Sequence, residues 1–253
     1  MTDALIRRAA LELATARRVA VLTGAGVSAE SGVPTFRAAE GLWENHPIEQ
    51  VASPQGFNRD PQLVWQFYNA RRATVAKVTP NPAHHALVQI EKRFGDNFAL
   101  ITQNVDGLHQ QAGSVNVMEL HGSLYRTRCT GCRRIEDRGL EPLGEMPECS
   151  RCGALLRPDI VWFGEELPQT IWQEAIVAAA QCDVMLVVGT SAVVHPAASL
   201  IPMARRCDIS DEKSTPATVI EVNLDRTEAS DFADIGLYGP AGELLPKVVE
   251  AMD

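Results

Sequence analysis

Val19-Ala20-Val21-Leu22-Thr23-Gly24-Ala25-Gly26-Val27-Ser28 is the stretch on which the fold turns. An apolar run without polar alternation is what a strand buried on both faces requires, and this one stops at a glycine-rich turn. Ahead of it, Asp3 to Arg18 carries apolar positions at helical spacing, so the order reads helix, strand, glycine turn. The same pattern recurs three times. Phe98-Ala99-Leu100-Ile101 runs into Thr102-Gln103-Asn104, Val184-Met185-Leu186-Val187-Val188 into Gly189-Thr190-Ser191, and Ala217-Thr218-Val219-Ile220-Glu221-Val222 into Asn223. Four such strands separated by helical stretches predict an α/β chain built on a Rossmann-type parallel sheet with helices on both faces. In sheets of this kind ligands lie outside the carboxyl ends of the strands, which is where the four polar tips meet.

Two segments break the alternation and are expected to form a smaller inserted domain. One is a helical module rich in tryptophan and arginine at 41–84, and the other is a cysteine-bearing module at 122–159. The remainder, 1–40, 85–121 and 160–253, is expected to form the nucleotide-binding domain. At 253 residues, 45% hydrophobic and 22% charged, the chain suits a globular protein with one large core and a smaller satellite. The formal charge of -9 repels a phosphate backbone, so nucleic acid is not an expected partner. No stretch has the roughly 18 apolar residues of a membrane span, and the first residues lack the apolar core of a secretory signal, so the expected location is cytoplasmic.

Of six cysteines, four form the pairs Cys129-x-x-Cys132 and Cys149-x-x-Cys152 with 16 residues between them. This is zinc-ribbon spacing: each knuckle supplies two thiolates, and four close a tetrahedron that leaves no position for water. The metal would hold structure and perform no chemistry. Cys182 and Cys207 are assigned nothing.

The remaining signals are weaker singly. Gly24 and Gly26 are two of the three glycines of a dinucleotide fingerprint, and they fit either a turn opening onto a pyrophosphate or a tight turn with no ligand. His121, in Glu119-Leu120-His121-Gly122, stands just before the cysteine module, at the cleft between the domains, as either a base or a structural histidine. Gln103, Asn104 and Asp106 follow a strand and can bind a ligand or cap the next helix. Tyr68 and Arg71 share one face of a helical segment, where a phenol beside a guanidinium makes a carboxylate receptor or a solvated surface.

Together, Gly24-Ala25-Gly26-Val27-Ser28, Gly32-Val33-Pro34-Thr35-Phe36-Arg37, Thr102-Gln103-Asn104-Val105-Asp106-Gly107-Leu108-His109 and His121-Gly122 resemble the sirtuin family in order and spacing. The paired cysteines, Val161-Trp162-Phe163-Gly164-Glu165, Gly189-Thr190-Ser191 and Asn223 continue the likeness over nearly the whole chain. The resemblance implies an NAD-dependent protein-lysine deacylase that consumes NAD as co-substrate, carries one structural zinc and acts on acylated lysine-containing proteins or peptides. It implies an NAD pocket of Gly24, Ala25, Gly26, Ser28, Phe36, Arg37, Trp43, Gln103, Asn104, Val105 and Asp106. On the adenosine side it implies Gly189, Thr190, Ser191, Asn223 and Ala241. His121 would be the general base, and the peptide would lie along Val161, Phe163 and Val193.

Within the family, Tyr68 and Arg71 match a Tyr-x-x-Arg pair of the branch that removes succinyl and malonyl groups, and Ala52 falls where that branch keeps a small residue. Val27, where isoleucine is more usual, and His195, where relatives often carry tyrosine, depart from the pattern without touching this chemistry. Residues 207–216 look like a variable loop. Three rival readings remain at this stage: a protein ADP-ribosyltransferase of the same family, a dehydrogenase with a structural zinc, and a non-enzymatic zinc-ribbon module.

Overall fold

A computed structural model describes residues 2–34, 42, 43, 46–206 and 215–252. The expected sheet is there, and it has six parallel strands where the sequence offered four: β1 (Val19–Thr23), β4 (Phe98–Thr102), β5 (Val117–Glu119), β9 (Val184–Val188), β10 (Thr218–Asn223) and β11 (Ile235–Tyr238). Their spatial order is β11-β10-β9-β1-β4-β5. Counted along the chain within this sheet, that is 3-2-1-4-5-6, the doubly wound order whose direction reverses between β1 and β9. Thr23 stands level with Thr102 on one side and with Val188 on the other, so the three tips end together.

β1 and β9 are buried at every position, which is why they read as unbroken apolar runs. Their side chains alternate between two cores. Val19 and Val21 face α1 (Thr2–Thr15), α6 (Pro82–Phe94) and α10 (Ala241–Glu250); Ala20 and Leu22 face α8 (Gln169–Gln181) and α9 (Leu200–Ala204). None of the described helices is long and apolar enough to cross a membrane.

A third core lies outside the large sheet. It joins α3 (Ile48–Val51), α4 (Pro54–Arg59) and α5 (Pro61–Val75) to the antiparallel strands β6 (Gly122–Cys129) and β8 (Leu156–Ile160), with the largely exposed β7 (Ile135–Asp137) paired to β6 outside it. A two-residue pair, β2 (Leu42–Trp43) with β3 (His46–Pro47), precedes it. The start of α5 is fixed locally, because Asp60 accepts from the Leu63 N–H at 2.9 Å and Pro61 occupies the first helical position. Trp65, fully buried, donates its indole N–H to the Leu156 carbonyl at 2.8 Å, and Arg72 donates to the carbonyls of Leu124 and Glu141. Truncating Trp65 to alanine would cost about 3–5 kcal/mol.

The chain passes from the large sheet to the third core at His121-Gly122. Gly122 has φ +81, and a Cβ there would stand 1.9 Å from the Asp159 carbonyl oxygen, so only glycine lets β6 leave beside β8. At the same point the Val161 N–H donates to the His121 carbonyl at 3.0 Å.

Two buried histidines tie the glycine turn to the sheet. His84 of α6 accepts from the Asn81 N–H at Nδ1, so its Nε2 carries the proton and faces Ser28 Oγ, which follows the glycine turn, at 3.4 Å. His109, in α7 (Leu108–Ala112), has Nε2 3.0 Å from Thr23 Oγ1, and the two rings lie 4.9 Å apart. Burial, followed by a neighbouring histidine, holds them well below the ordinary imidazole range, at about 4 for His84 and about 3 for His109. Imidazoles of the unfolded chain take up protons below about pH 6.5 while these two stay neutral, so stability is complete above about pH 7 and is lost as pH falls from there toward 4. Each ring is expected to withdraw about 2 kcal/mol between about pH 7 and about pH 5. Thermal melting across that range should show the fall, and His109→Gln should make it shallower. An unaltered pH dependence in the variant would count against a neutral buried ring at 109.

Candidate active site

The site begins with backbones in contact. Gly24 N–H donates to the Val188 carbonyl at 3.1 Å and Gly26 N–H to the Gly189 carbonyl at 2.7 Å. A Cβ on Gly26 would lie 2.7 Å from Gly189 O, and one on Gly189, itself at φ +60, would lie 2.2 Å from Val27 N. Only three Cβ-free positions let the tips of β1 and β9 close this tightly. Both glycine N–H groups are directed into the neighbouring strand tip, and α2 (Gly26–Ala29) is a single turn. The glycines therefore act by close approach; their N–H groups do not point outward as an anion cradle.

Above this contact lies a cavity of about 550 Å³. Gly24, Ala25, Gly26, Gln103, Asn104, Val105, Asp106, His121, Gly189, Thr190, Ser191 and Asn223 line it, and so do Ala52, Arg71, Val161 and Phe163. These residues from eight separate stretches of the chain thus converge on one space. Four expected residues are not on its wall. Ser28 is buried beneath it, accepting from Asn104 Nδ2 at 3.1 Å. Ala241 packs in the core at the start of α10, Val193 is exposed while its neighbour Val194 takes the wall position, and Tyr68 is fully enclosed. Phe36, Arg37 and the side chain of Trp43 lie outside the described residues.

Hydrogen bonds fix the polar loops from below. Thr23 Oγ1 donates to Thr102 Oγ1 at 2.8 Å, which in turn accepts from the Asn104 N–H at 3.0 Å. Gln103 Nε2 donates to Thr190 Oγ1 at 3.0 Å and Asn223 Nδ2 to the Thr190 carbonyl at 2.8 Å, linking the tips of β4, β9 and β10. Asp106 accepts from the Leu108 N–H at 2.9 Å; burial nevertheless pushes its carboxyl upward, against that bond and the nearby Arg71 charge.

His121 Nδ1 lies 3.0 Å from the Gln103 carbonyl oxygen. A carbonyl can only accept, so Nδ1 carries the hydrogen and Nε2 is the basic nitrogen. Burial lowers the ring's pKa, opposed by the Gln103 bond, so the imidazole is neutral near pH 7. A neutral, oriented imidazole at the wall of a cavity is a competent general base.

The sequence did not single out several wall residues. Trp162 and Glu165 sit inside a quoted motif and were given no role, and His195 was assigned none although it lines the cavity. Leu224, Asp225 and Thr227 had no motif to mark them.

The four cysteines come together away from this wall. Their Sγ atoms all lie within 4.8 Å of one another, with Cys129 to Cys152 at 3.4 Å and Cys132 to Cys149 at 3.8 Å. None is disulfide-bonded. Four thiolates at zinc's bond length of about 2.3 Å define a tetrahedron with edges of about 3.8 Å, so the donor set fits that ion.

Comparison with known proteins agrees with this geometry. The model of the Sir2 family matches residues 24–196. An NAD-dependent protein deacylase 2 of Pyrobaculum aerophilum is 48% identical over 239 residues, covering 94% of this chain and 92% of the relative. A Sir2 homolog solved as an NAD complex superimposes with a TM-score of 0.87 at 43% identity, over 97% of this chain and 93% of that one. Sir2Af2 bound to a myristoylated histone peptide does so with a TM-score of 0.78 at 38% identity, over 99% and 97%. Strand order, motif order and identity across almost the full length point the same way, and the chain belongs to the Sir2 family.

Proposed function

We propose that this protein is an NAD-dependent protein-lysine deacylase, with 41–84 and 122–159 as the small domain and the remainder as the NAD-binding domain. The observation that carries this reading is His121, held neutral at the cavity wall with Nδ1 anchored and Nε2 basic. The relatives named as deacylases and the Sir2 homologues solved with NAD and with acylated peptides support it.

NAD is the co-substrate: the acyl-lysine carbonyl oxygen would displace nicotinamide from the ribose to give an imidate. A ribose hydroxyl would add to the imidate carbon, the C–N bond to lysine would break to release the free amine, and water would complete the acyl-ADP-ribose ester. For this, Gly24, Gly26 and Gly189 let the dinucleotide approach the sheet, while Gln103, Asn104 and Asp106 face its nicotinamide end. Thr190, Ser191 and Asn223 serve the adenosine side. His121 Nε2 takes the proton of a ribose hydroxyl. The peptide lies along Val161 and Phe163 as an added strand, a mode in which main-chain bonds supply affinity with little sequence preference. Cys129, Cys132, Cys149 and Cys152 hold the zinc, which closes the tip of the small domain and supplies no reacting position.

The acyl group enters beside Ala52 and Arg71. Arg71 is 6% exposed and lines the cavity, and Ala52 leaves room for a chain longer than acetyl. A guanidinium in that position suits an acyl group ending in carboxylate, so succinyl- and malonyl-lysine are proposed substrates together with acetyl-lysine.

His121→Asn is expected to abolish formation of free lysine and acyl-ADP-ribose from NAD and acyl-peptide, because the base acts after nicotinamide has left. In the parent enzyme, kcat/KM should fall only as pH drops through a value below the ordinary histidine value of about 6.5, because the neutral ring is the active form. An acid limb at or above that value, or full turnover by the variant, would refute the assignment. Metal analysis should find one zinc per chain, and Cys149→Ser should lose it together with thermal stability. Arg71→Met should reduce kcat/KM for succinyl-peptide by about 30-fold, equivalent to about 2 kcal/mol, and reduce that for acetyl-peptide far less.

A further inference from the structure

β8 ends at Ile160, and the segment 161–165 that follows belongs to no strand, although the proposed peptide would add to it as to the edge of a sheet. Strand addition matches main-chain groups at set spacing, so a segment outside any ladder needs another source of fixed shape. Hydrogen bonds from its own backbone supply part of it. Val161 donates its N–H to the His121 carbonyl, Phe163 to the Ala52 carbonyl and Glu165 to the Trp162 carbonyl, each at 3.0 Å. Trp162 donates instead to a side chain, the Glu165 carboxylate, at 2.9 Å. That bond shapes the segment only if the carboxylate is itself held.

Arg157 holds it. The two terminal nitrogens of its guanidinium each donate to one oxygen of Glu165 at 2.7 Å, and one of them also donates to the Ile160 carbonyl at 2.9 Å. The same planar group lies 3.5 Å from the centre of the Trp162 ring, which is 2% exposed and packs against Phe57 at 5.4 Å. One side chain thus grips the end of β8, the indole inside the segment and the carboxylate that closes it. Side chains only 13% and 25% exposed are screened less than a surface ion pair, and the forked geometry is one that lysine cannot reproduce. Burial works against the Glu165 charge, but the Arg157 bonds and the Trp162 N–H outweigh it and keep the carboxyl below its usual range. The backbone of Arg157 is anchored in turn, since it pairs with Arg128 across β6 and β8, one step from Leu156 opposite Cys129.

We infer that Arg157 is a positioning residue for the substrate peptide: through Glu165 it fixes the backbone of 161–165 in the shape to which the peptide's main chain adds. The inference rests on the proposed deacylase reading, in which the peptide lies along Val161 and Phe163. Arg157 is not on the cavity wall, so it acts through the residues it grips. It shapes main chain and reads no side chain of the substrate. Peptide affinity in general therefore depends on it, whereas NAD affinity and the chemical step do not.

The test measures KM for NAD and for two acetyl-lysine peptides of unrelated flanking sequence. Arg157→Gln should raise the KM of both peptides by about ten-fold, while kcat and the KM for NAD stay within about two-fold of the parent. That split is the signature of peptide binding lost equally from ground state and transition state. Glu165→Gln should raise the peptide KM likewise, and the double variant should be no worse than the poorer single one, because the two side chains act as one unit. An unchanged peptide KM in Arg157→Gln overturns the inference. A matching rise in the KM for NAD, or a matching fall in kcat, overturns it as well, since either marks a general loosening of the structure. So does an effect confined to one peptide, which marks recognition of substrate side chains. Should Arg157→Gln fail to fold, Glu165→Gln keeps the side chain's shape and carries the test alone; an unchanged peptide KM there is equally fatal. If the parent enzyme turns over neither peptide with NAD, the deacylase reading falls and takes the inference with it. If it turns over both and the variants match it, only the role of Arg157 falls.

Discussion

The structure depends on a contact between two pieces of main chain. Where the strand order reverses, Gly24 and Gly26 press against Gly189 so closely that a single added carbon on either side would overlap backbone atoms. Side chains would hold the tips of β1 and β9 apart and fill the crevice that the topology opens there. Because nothing projects from these three positions, the cavity floor is backbone, and the chemistry comes from loops at its margins. The requirement is steric, which explains why glycine appears at these positions on two strands more than 160 residues apart.

A second constraint sets the geometry of His121 against that of the Val161–Glu165 segment. His121 ends the segment leading out of β5, and its carbonyl is bonded to Val161 at the exit of β8, so the proposed base and the proposed peptide segment share one backbone hydrogen bond. Charges reinforce the junction from both sides. Arg126 of β6 reaches Glu119, two residues before His121, at 2.7 Å, and Asp159, two residues before Val161, at 3.0 Å; Arg128 also reaches Asp159. Both carboxylates are buried and would be costly without these partners. These ion pairs brace the seam between the large sheet and the third core beside His121 and Val161.

Much of this was legible in the chain, and the part that was not has a physical pattern. β1, β4, β9 and β10 announced themselves because each is buried on both faces. β5 and β11 did not: β5 is three residues long with two of them half exposed, and β11 is an edge strand interrupted by Gly236. The cysteine pairs were readable because a metal imposes local spacing, and the Sγ cluster follows that spacing. Tyr68 and Arg71 were correctly set on one helix, since α5 spans both. Their separate fates were invisible: Arg71 reaches the cavity, while Tyr68 is enclosed by Trp162, which is 94 positions away in the chain. Thr227, likewise, reaches the wall through a contact that no motif encodes.

That contact shows how a site built from loops is kept rigid. Glu221, fully buried in β10, receives the hydroxyls of Thr227 and Ser230 at 2.5 Å each and of Tyr238 at 3.0 Å. Asn223, Leu224, Asp225 and Thr227, which face the cavity, are thereby pinned from beneath by a residue that never touches it. Across the crevice, Thr23, Thr102, Ser28 and Asn104 do the same for the loop carrying Gln103 and Asp106. Each such bond adds only about 1 kcal/mol of net stability, whereas a buried partner left unpaired costs about 1–3 kcal/mol. The asymmetry penalises every alternative loop position more than it favours the native one. Buried polar groups beneath the cavity therefore define a single geometry for the loops above, as oriented transition-state chemistry demands.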